Sequence, residues 1–294
     1  MKYLLFATII FLYPLQLLGQ NLEYLADSVG NNQIIHRTWY SLSYNEKFEQ
    51  ADWVAYSLTA NEVEGQTPRK NNFKTDPEIS TFSANSNDYK GSGYDRGHLV
   101  PAADMKMSIE SMASSFLYSN ISPQHPSFNR GIWRTLETKV RQWAKIEGEI
   151  YVITGPVLAK GIYKFIGANR VGVPKYYYKV IYDPTGKRKA IGFILENSNN
   201  NKLSLHHYAV TVDSVESFTG LDFYYNISDQ FEEPIESVLE VGKWFSTAND
   251  QCEYYNSKKI FTGPKGGKYY INLNGKKTYV SGKKRSRIAR KPCN

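Results

Sequence analysis

Bulky apolar or aromatic residues alternate with polar ones through Ile34 to Tyr44 and again through Trp53 to Thr59, the period of antiparallel strands with one buried face. Between Asn61 and Asp88 this pattern gives way to Pro, Asn, Ser and charge. Phe73 and Phe82 are the only aromatic anchors there, which predicts a long loop of the kind that usually carries function. Ser108 to Phe116 has helical spacing, with Glu110 in the first turn. Pro123 forbids a helix through Asn120 to Gln124, so that segment reads as irregular. From Asn129 to Ala144 the apolar positions Ile132, Trp133, Leu136, Val140 and Trp143 follow a helical period. That amphipathic helix would begin near Asn129 and carry Glu137 two turns further on.

Strand patterns return at Ile150 to Thr154, Lys175 to Tyr182, Ala190 to Leu195 and His207 to Val212, with Gly155-Pro156 and Pro184-Thr185-Gly186 as turns. Short helices are expected at Val215 to Thr219 and Ile235 to Val241. Strands, then helices, then strands define an α+β domain around a mainly antiparallel sheet. The composition turns polar at Ser246 to Gln251, and beyond it two aromatic-rich runs flank Asn274-Gly275, the signature of a β-hairpin. The expected organisation is a leader over 1–19, a main domain over 20–245, a linker over 246–257 and a small module over 258–294.

Charge sharpens that division. The net charge is +8, but residues 256–294 hold 12 Lys plus Arg and no acid, which leaves residues 20–255 at −5. Long-range attraction to a polyanion would come from the tail or from local patches, not from the body. In the leader a single Lys2 precedes an apolar run from Leu4 to Leu18, broken by Pro14 and Gln16, with Gly19 before Gln20. That is the form of a secretory signal cleaved after Gly19, and it falls short of the roughly 20 apolar residues that a spanning helix needs. The expected product is exported, secreted or periplasmic, with no stable membrane association. The two cysteines, Cys252 and Cys293, bracket the basic tail. A bridge between them would close a loop of 42 residues and contribute on the order of 4 kcal/mol, and two free thiols are the alternative.

The chemistry concentrates in Gly93 to Glu137. His98, after Arg96-Gly97 and near Asp95, has the side chain that titrates near neutral pH and suits a general base. Asn129 offers the neutral oxygen that a hard cation such as Mg²⁺ accepts. Glu137, eight residues on, shares its helical face, and Arg69 and Arg96 offer guanidinium groups that would clamp a phosphate. Taken singly, each has a plainer reading: a structural histidine, a helix cap, a solvated carboxylate, surface arginines.

Their combination has a resemblance. Tyr94-Asp95-Arg96-Gly97-His98-Leu99, then Ser119-Asn120-Ile121-Ser122-Pro123-Gln124, then Asn129-Arg130-Gly131-Ile132-Trp133 and Leu136-Glu137, resembles the DNA/RNA non-specific endonuclease family of the ββα-metal, or His-Me finger, superfamily. Thr154-Gly155-Pro156-Val157, Val173-Pro174 and Thr219-Gly220-Leu221-Asp222-Phe223 resemble later segments of that family, and the likeness spans Tyr40 to Phe245.

The resemblance implies a ββα-metal catalytic motif and a single hydrated Mg²⁺, with Mn²⁺ as a substitute. It implies His98 as the base that deprotonates water, Asn129 as the direct protein ligand of the metal and Glu137 as a carboxylate of its outer shell. Arg69 and Arg96 would contact phosphate, while Asn120, Gln124 and Arg141 would line the substrate cleft. The implied activity is sequence- and sugar-non-specific cleavage of DNA and RNA. A catalytically silent relative that only binds nucleic acid, and a phosphodiesterase for small nucleotides with the long loop as its lid, stay open as rivals. In the tail, Gly263 to Val280 resembles a short basic adaptor module of viral and bacterial proteins. It reads either as a solvated basic surface or as a polyanion tether in which Tyr269, Tyr270 and Tyr279 stack on bases.

Overall fold

Strand alternation in the second half of the chain sets the architecture. Along Tyr176–Asp183, Tyr177 and Ile181 enter one hydrophobic cluster while Tyr178, Val180 and Tyr182 enter another on the opposite face. This strand belongs to a seven-stranded antiparallel sheet. In chain order its members are β1 (Gln33–His36), β2 (Ser41–Asn45), β3 (Gln50–Thr59), β6 (Glu149–Pro156), β9 (Tyr176–Asp183), β10 (Lys189–Glu196) and β11 (Ala209–Val210), which is also their order across the sheet. The computed structural model describes residues 25–27, 30, 32–185, 188–227, 229–245, 251–256, 258–262, 267–272, 276–280 and 287–292. The leader, the linker residues 246–250, the Asn274-Gly275 turn and the Cys252–Cys293 pairing therefore lie outside what is described.

The elements inserted between β3 and β6 make the site. They are α1 (Ala60–Val63), α2 (Ser86–Tyr89), β4 (Asp95–His98), α3 (Ile109–Ser114), β5 (Ile121–Gln124), α4 (Pro126–Phe128) and α5 (Arg134–Glu147). Helix α5 lays Leu136, Val140 and Trp143 on the sheet face that holds Tyr56, Val152 and Ile181. Leu136 and Val140 are fully buried, which stabilises the helix by roughly 1.5–3 kcal/mol per side chain. Helices α6 (Val212–Thr219) and α7 (Asp229–Glu236) cover the opposite face, where Val212 and Val215 meet Trp53 and Val180. A last helix, α8 (Val241–Phe245), brings Trp244 within 5.0 Å of the Trp143 ring.

Several expectations need correction. The run from Ile34 to Tyr44 is two strands, turned where the Arg37 amide bonds to the Tyr40 carbonyl at 3.0 Å. Asn120 to Gln124 is not irregular: Ile121–Gln124 pairs antiparallel with Asp95–His98 in a separate ribbon, and Pro123 fits because that ribbon has only two strands. The helix expected from Asn129 begins regularly only at Arg134. Residues Asn129–Trp133 form a π-helical turn with non-helical dihedrals at Gly131 (φ −105°, ψ −110°). The long loop opens with the turn α1 and ends in α2, the strand at His207 shrinks to Ala209–Val210, and the helix placed at Ile235 to Val241 covers the end of α7, the gap at 237–240 and the start of α8. A hairpin of β7 (Ile162–Ile166) and β8 (Val171–Pro174) was not anticipated, because Tyr163 and Phe165 are exposed rather than core residues.

In the tail, β12 (Gln251–Tyr255), β13 (Lys258–Lys259) and β17 (Ala289–Pro292) form one small sheet. The other holds β14 (Phe261–Thr262), β15 (Lys268–Ile271) and β16 (Lys277–Tyr279). The expected hairpin is there, with Tyr269 opposite Tyr279.

In the β4–β5 ribbon Gly97 faces Gln124 so closely that a Cβ at position 97 would stand 2.2 Å from the Gln124 side chain. Gly97→Ala must push the ribbon apart at an overpacking cost of roughly 1–3 kcal/mol. Urea unfolding should show a midpoint lowered accordingly. An unchanged midpoint would mean the two strands are not packed this tightly.

Candidate active site

His98 ends strand β4 and is 8% exposed. Its ring stands edge-on to Phe116 at 4.9 Å and tilted against Phe73 at 5.5 Å, while Phe73 and Phe116 meet each other at 5.0 Å. The same two phenylalanines seat the arginines: the Arg96 guanidinium lies 4.1 Å from the Phe73 centroid and that of Arg69 lies 5.2 Å from Phe116. Arg69 also donates to the side-chain amide oxygen of Asn71 at 2.8 Å. Base and cations are thus held by one aromatic cluster. Phe73 comes from the long loop, which is tied in on both sides of its backbone, Lys74 N–H bonding to the Phe116 carbonyl and Tyr118 N–H to that of Lys74.

Burial first, and then the charges of Arg69 and Arg96, push the His98 pKa from 6.5 down to about 3. Its imidazole is neutral at physiological pH, and Nε2 has no hydrogen-bond partner among the described residues. A neutral ring with a free nitrogen is the form that accepts a proton.

Asp95 does not support His98. Its carboxylate takes the Asn129 amide nitrogen at 2.9 Å and the Arg130 guanidinium at 2.8 and 2.5 Å. Burial raises its pKa, but the hydrogen bonds from Arg130 and Asn129 outweigh this and hold it below the ordinary carboxylate value. Only the N–H₂ end of an amide can donate to a carboxylate, so this bond turns the Asn129 oxygen away from Asp95.

His98, Arg69, Arg96, Asn129, Glu137 and Arg141 line one cavity of about 370 Å³, and Arg130 and Arg134 line it as well. A neighbouring cavity of about 730 Å³ shares Arg69, Arg96, Asn129 and Arg130, so the cleft is continuous. Glu137 is half-buried. Burial raises its pKa, while the nearby Lys179 and Arg141 charges oppose that rise. Arg141 is aimed by Asp104 at 2.8 Å, whose other oxygen accepts the Tyr56 hydroxyl at 2.8 Å.

Two expected cleft residues are elsewhere. Asn120 is fully buried, and its amide bonds to Val100 N–H, the Val100 carbonyl and the Ser115 carbonyl at 2.8–3.0 Å. It fastens the turn after His98 and lines neither cavity. Gln124 is also fully buried, packed under Gly97, and lines neither cavity. Sequence reasoning missed the holding role of Asp95, the cleft arginines Arg130 and Arg134, and Lys179. Strand alternation was the available signal for Lys179, since it puts residue 179 on the same face as Tyr177 and Ile181.

Outside the cleft, Asp213, Glu216 and Glu236 gather carboxylate oxygens within 4.8 Å of one another on the α6–α7 face of the sheet. No described helix is long and apolar enough to cross a membrane.

A two-stranded ribbon that leads into a helix, with a histidine on the first strand and an asparagine at the helix approach, is the arrangement of the ββα-metal nucleases. The profile of DNA/RNA non-specific endonucleases matches residues 19–230, and the chain belongs to that family. It is 32% identical over 224 residues to a nuclease of Nostoc sp. (strain PCC 7120 / SAG 25.82 / UTEX 2576), spanning 71% of this chain and 80% of that one. Nuclease C1 of Cunninghamella echinulata var. echinulata is 37% identical over 207 residues, covering 65% and 82% of the two chains. Human mitochondrial endonuclease G is 32% identical over 212 residues, covering 67% and 71%. Among solved structures, the crystal structure of the EndoG/EndoGI complex aligns with a TM-score of 0.63 and 32% identity over 69% of this chain and 89% of that chain.

The neutral His98 makes stability depend on pH with a fixed sign. Its folded pKa lies below the unfolded value of 6.5, so unfolding takes up a proton once the pH drops below that value. The contribution is complete above about pH 6.5 and is lost as pH falls toward about 3. Between about pH 7.5 and pH 5, urea unfolding should show the wild type losing about 2 kcal/mol more than His98→Phe. Parallel losses in the two proteins would contradict a buried, neutral His98.

Proposed function

We propose that this protein is a Mg²⁺-dependent endonuclease that hydrolyses phosphodiesters of DNA and RNA without regard to base or sugar. The observation that carries this reading is the convergence, in one cleft, of a neutral unpaired His98, the ring-seated Arg69 and Arg96, and an Asn129 pinned by its nitrogen. His98 takes the proton of a water as its oxygen attacks phosphorus, the bond from phosphorus to the 3′ oxygen breaks, and the leaving oxygen acquires a proton from water. Arg69 and Arg96 oppose the charge that grows on the nonbridging oxygens. Arg141, aimed by Asp104, adds a third cation on the Glu137 side.

The donor set fits a hard cation. The Asn129 oxygen accepts no hydrogen bond among the described residues, and Glu137 lines the same cavity. One amide oxygen with a carboxylate in the outer shell suits an ion that keeps most of its waters. When bound there, Mg²⁺ supplies charge neutralisation at the leaving oxygen. The cationic groups named here meet phosphates, which carry little sequence information, so a non-specific substrate range follows.

The continuous cleft favours a polymer over a small nucleotide. The long loop, the lid of the rival phosphodiesterase, is instead fastened by Asp76, which bonds Arg37, Ser119 and Ser83.

Purified protein with Mg²⁺ should degrade both plasmid and RNA, and His98→Ala should lower kcat/KM about 10²- to 10⁴-fold with the circular dichroism spectrum unchanged. Wild-type rates in that variant would sink the assignment. Asn129→Ala should raise the Mg²⁺ concentration for half-maximal rate by about tenfold or more. An unshifted titration would remove Asn129 as ligand.

The tail is proposed as a polyanion tether. Lys277 and Lys258 place their ammonium groups 4.7 and 4.8 Å from the ring centres of Tyr269 and Tyr270, and Tyr279 is 61% exposed. Deleting residues 256–294 should flatten the dependence of the logarithm of affinity for long DNA on the logarithm of salt concentration. Equal slopes would make the tail irrelevant to capture.

A further inference from the structure

A third cavity, of about 470 Å³, opens along the neighbouring face of α5. Arg130 and Arg134 line both this cavity and the one containing His98, so the two compartments meet at a ridge of guanidinium groups. Helical geometry explains the division: Glu137 and Arg141 point to the catalytic side, whereas Thr135, Thr138 and Gln142 line the other.

The chemistry of the third cavity differs from that of the first. Its floor includes two largely buried apolar side chains, Leu205 and Phe245, 7% and 9% exposed. Among the described residues no Asp or Glu lines it, and Lys139 sets its ammonium 5.4 Å from the Phe245 ring centre. The hydroxyls of Thr135 and Thr138 donate to the Gly131 and Arg134 carbonyls at 3.1 and 2.9 Å. Exposed Gln142 supplies a side-chain amide, both donor and acceptor, on the wall. On the ridge Arg130 is bound to Asp95, whereas the Arg134 side chain makes no hydrogen bond or ion pair among the described residues.

A nucleic-acid strand alternates an anion with a flat, largely apolar base. A free guanidinium followed by an apolar floor has that same sequence of chemistry. We propose that this cavity receives a nucleobase one nucleotide beyond the scissile phosphate, and that Arg134, on the ridge, holds the phosphate between the two. The inference rests on the nuclease reading and extends it. Its size lies within the roughly 300 to 1,000 Å³ of ligand pockets. A wall amide with one donor end and one acceptor end does not select among bases, in keeping with a substrate range set by the backbone.

The test compares two substrates, a 12-residue single-stranded oligodeoxynucleotide and bis(p-nitrophenyl) phosphate, which carries neither a nucleobase nor a second phosphate. Ser204→Trp and Gln142→Trp, both at exposed positions lining it, fill the space without changing charge. Each should lower the ratio of kcat/KM on the oligonucleotide to that on the small diester about tenfold, the order of effect of one base contact with an apolar or aromatic group. An unchanged ratio in either folded variant overturns the proposal. Independently of the variants, wild-type protein should cleave a fully abasic 12-mer about tenfold more slowly than the normal strand, and that penalty should shrink in Ser204→Trp. Equal rates on the two strands overturn it as well. Wild-type protein that hydrolyses the small diester but shows no preference for the oligonucleotide rejects the cavity and leaves the nuclease reading standing. Protein that cleaves neither rejects both.

Discussion

The Asp95 carboxylate joins the two halves of the site. It sits at the start of the β4–β5 ribbon and reaches the turn before α5, where it accepts from Asn129 and Arg130. As a contribution to stability this contact is small, because the Arg130 side chain is 71% exposed and exposed ion pairs are worth roughly 0–1 kcal/mol. Its consequence is orientation. Without it the Asn129 amide is free to rotate, and the oxygen available to a cation has no fixed direction. The π-helical turn over Asn129–Trp133 serves the same contact, since it lets residues 129 and 130 lie toward the ribbon while α5 keeps its apolar face on the sheet.

Beneath the cleft lies a layer of buried charge that a sheet face would not ordinarily hold. Lys179 is fully buried on β9, its Nζ 4.9 Å from the Trp133 ring centre and without a hydrogen-bond partner among the described residues. Burial lowers its pKa, and the charges of Glu137 and Asp104 oppose the fall. Placing an ion in such a setting costs several kcal/mol unless opposite charge is close. Here the compensation comes from Glu137, which lines the active cleft, and from the buried Asp104. The cost of burying Lys179 and the ionisation of Glu137 are therefore coupled, and a change to either is felt by the other.

How much of this was legible depended on the range of the interaction. His98, Asn129, Glu137, Arg69 and Arg96 were readable because their neighbours in sequence carry the family pattern, and they do line one cleft. Asn120 and Gln124 belong to the same pattern, but both are buried and line neither cavity of the cleft. A recurring polar residue near a site looks the same in sequence whether it faces the cleft or lies beneath it, and only burial separates the two. The sheet was legible from period-two alternation, whereas the strand containing Pro123 was not, because a two-stranded ribbon tolerates a residue that a central strand rejects. The third cavity was out of reach, since it joins α5 to Leu205 and Phe245 across a large gap in the chain.

The charge count posed a problem that the geometry resolves. A body of −5 repels a polyanion at long range, yet five arginines, Arg69, Arg96, Arg130, Arg134 and Arg141, line the catalytic cavity. The field that a phosphodiester meets is thus local, and it has a second effect. After burial, Arg69 and Arg96 are what lower the His98 pKa. A phosphodiester anion lodged between them offsets part of their charge, so under the proposed mechanism the proton affinity of His98 rises as substrate binds. The imidazole stays unprotonated while the site is empty and becomes a stronger base once there is a phosphorus for the water to attack.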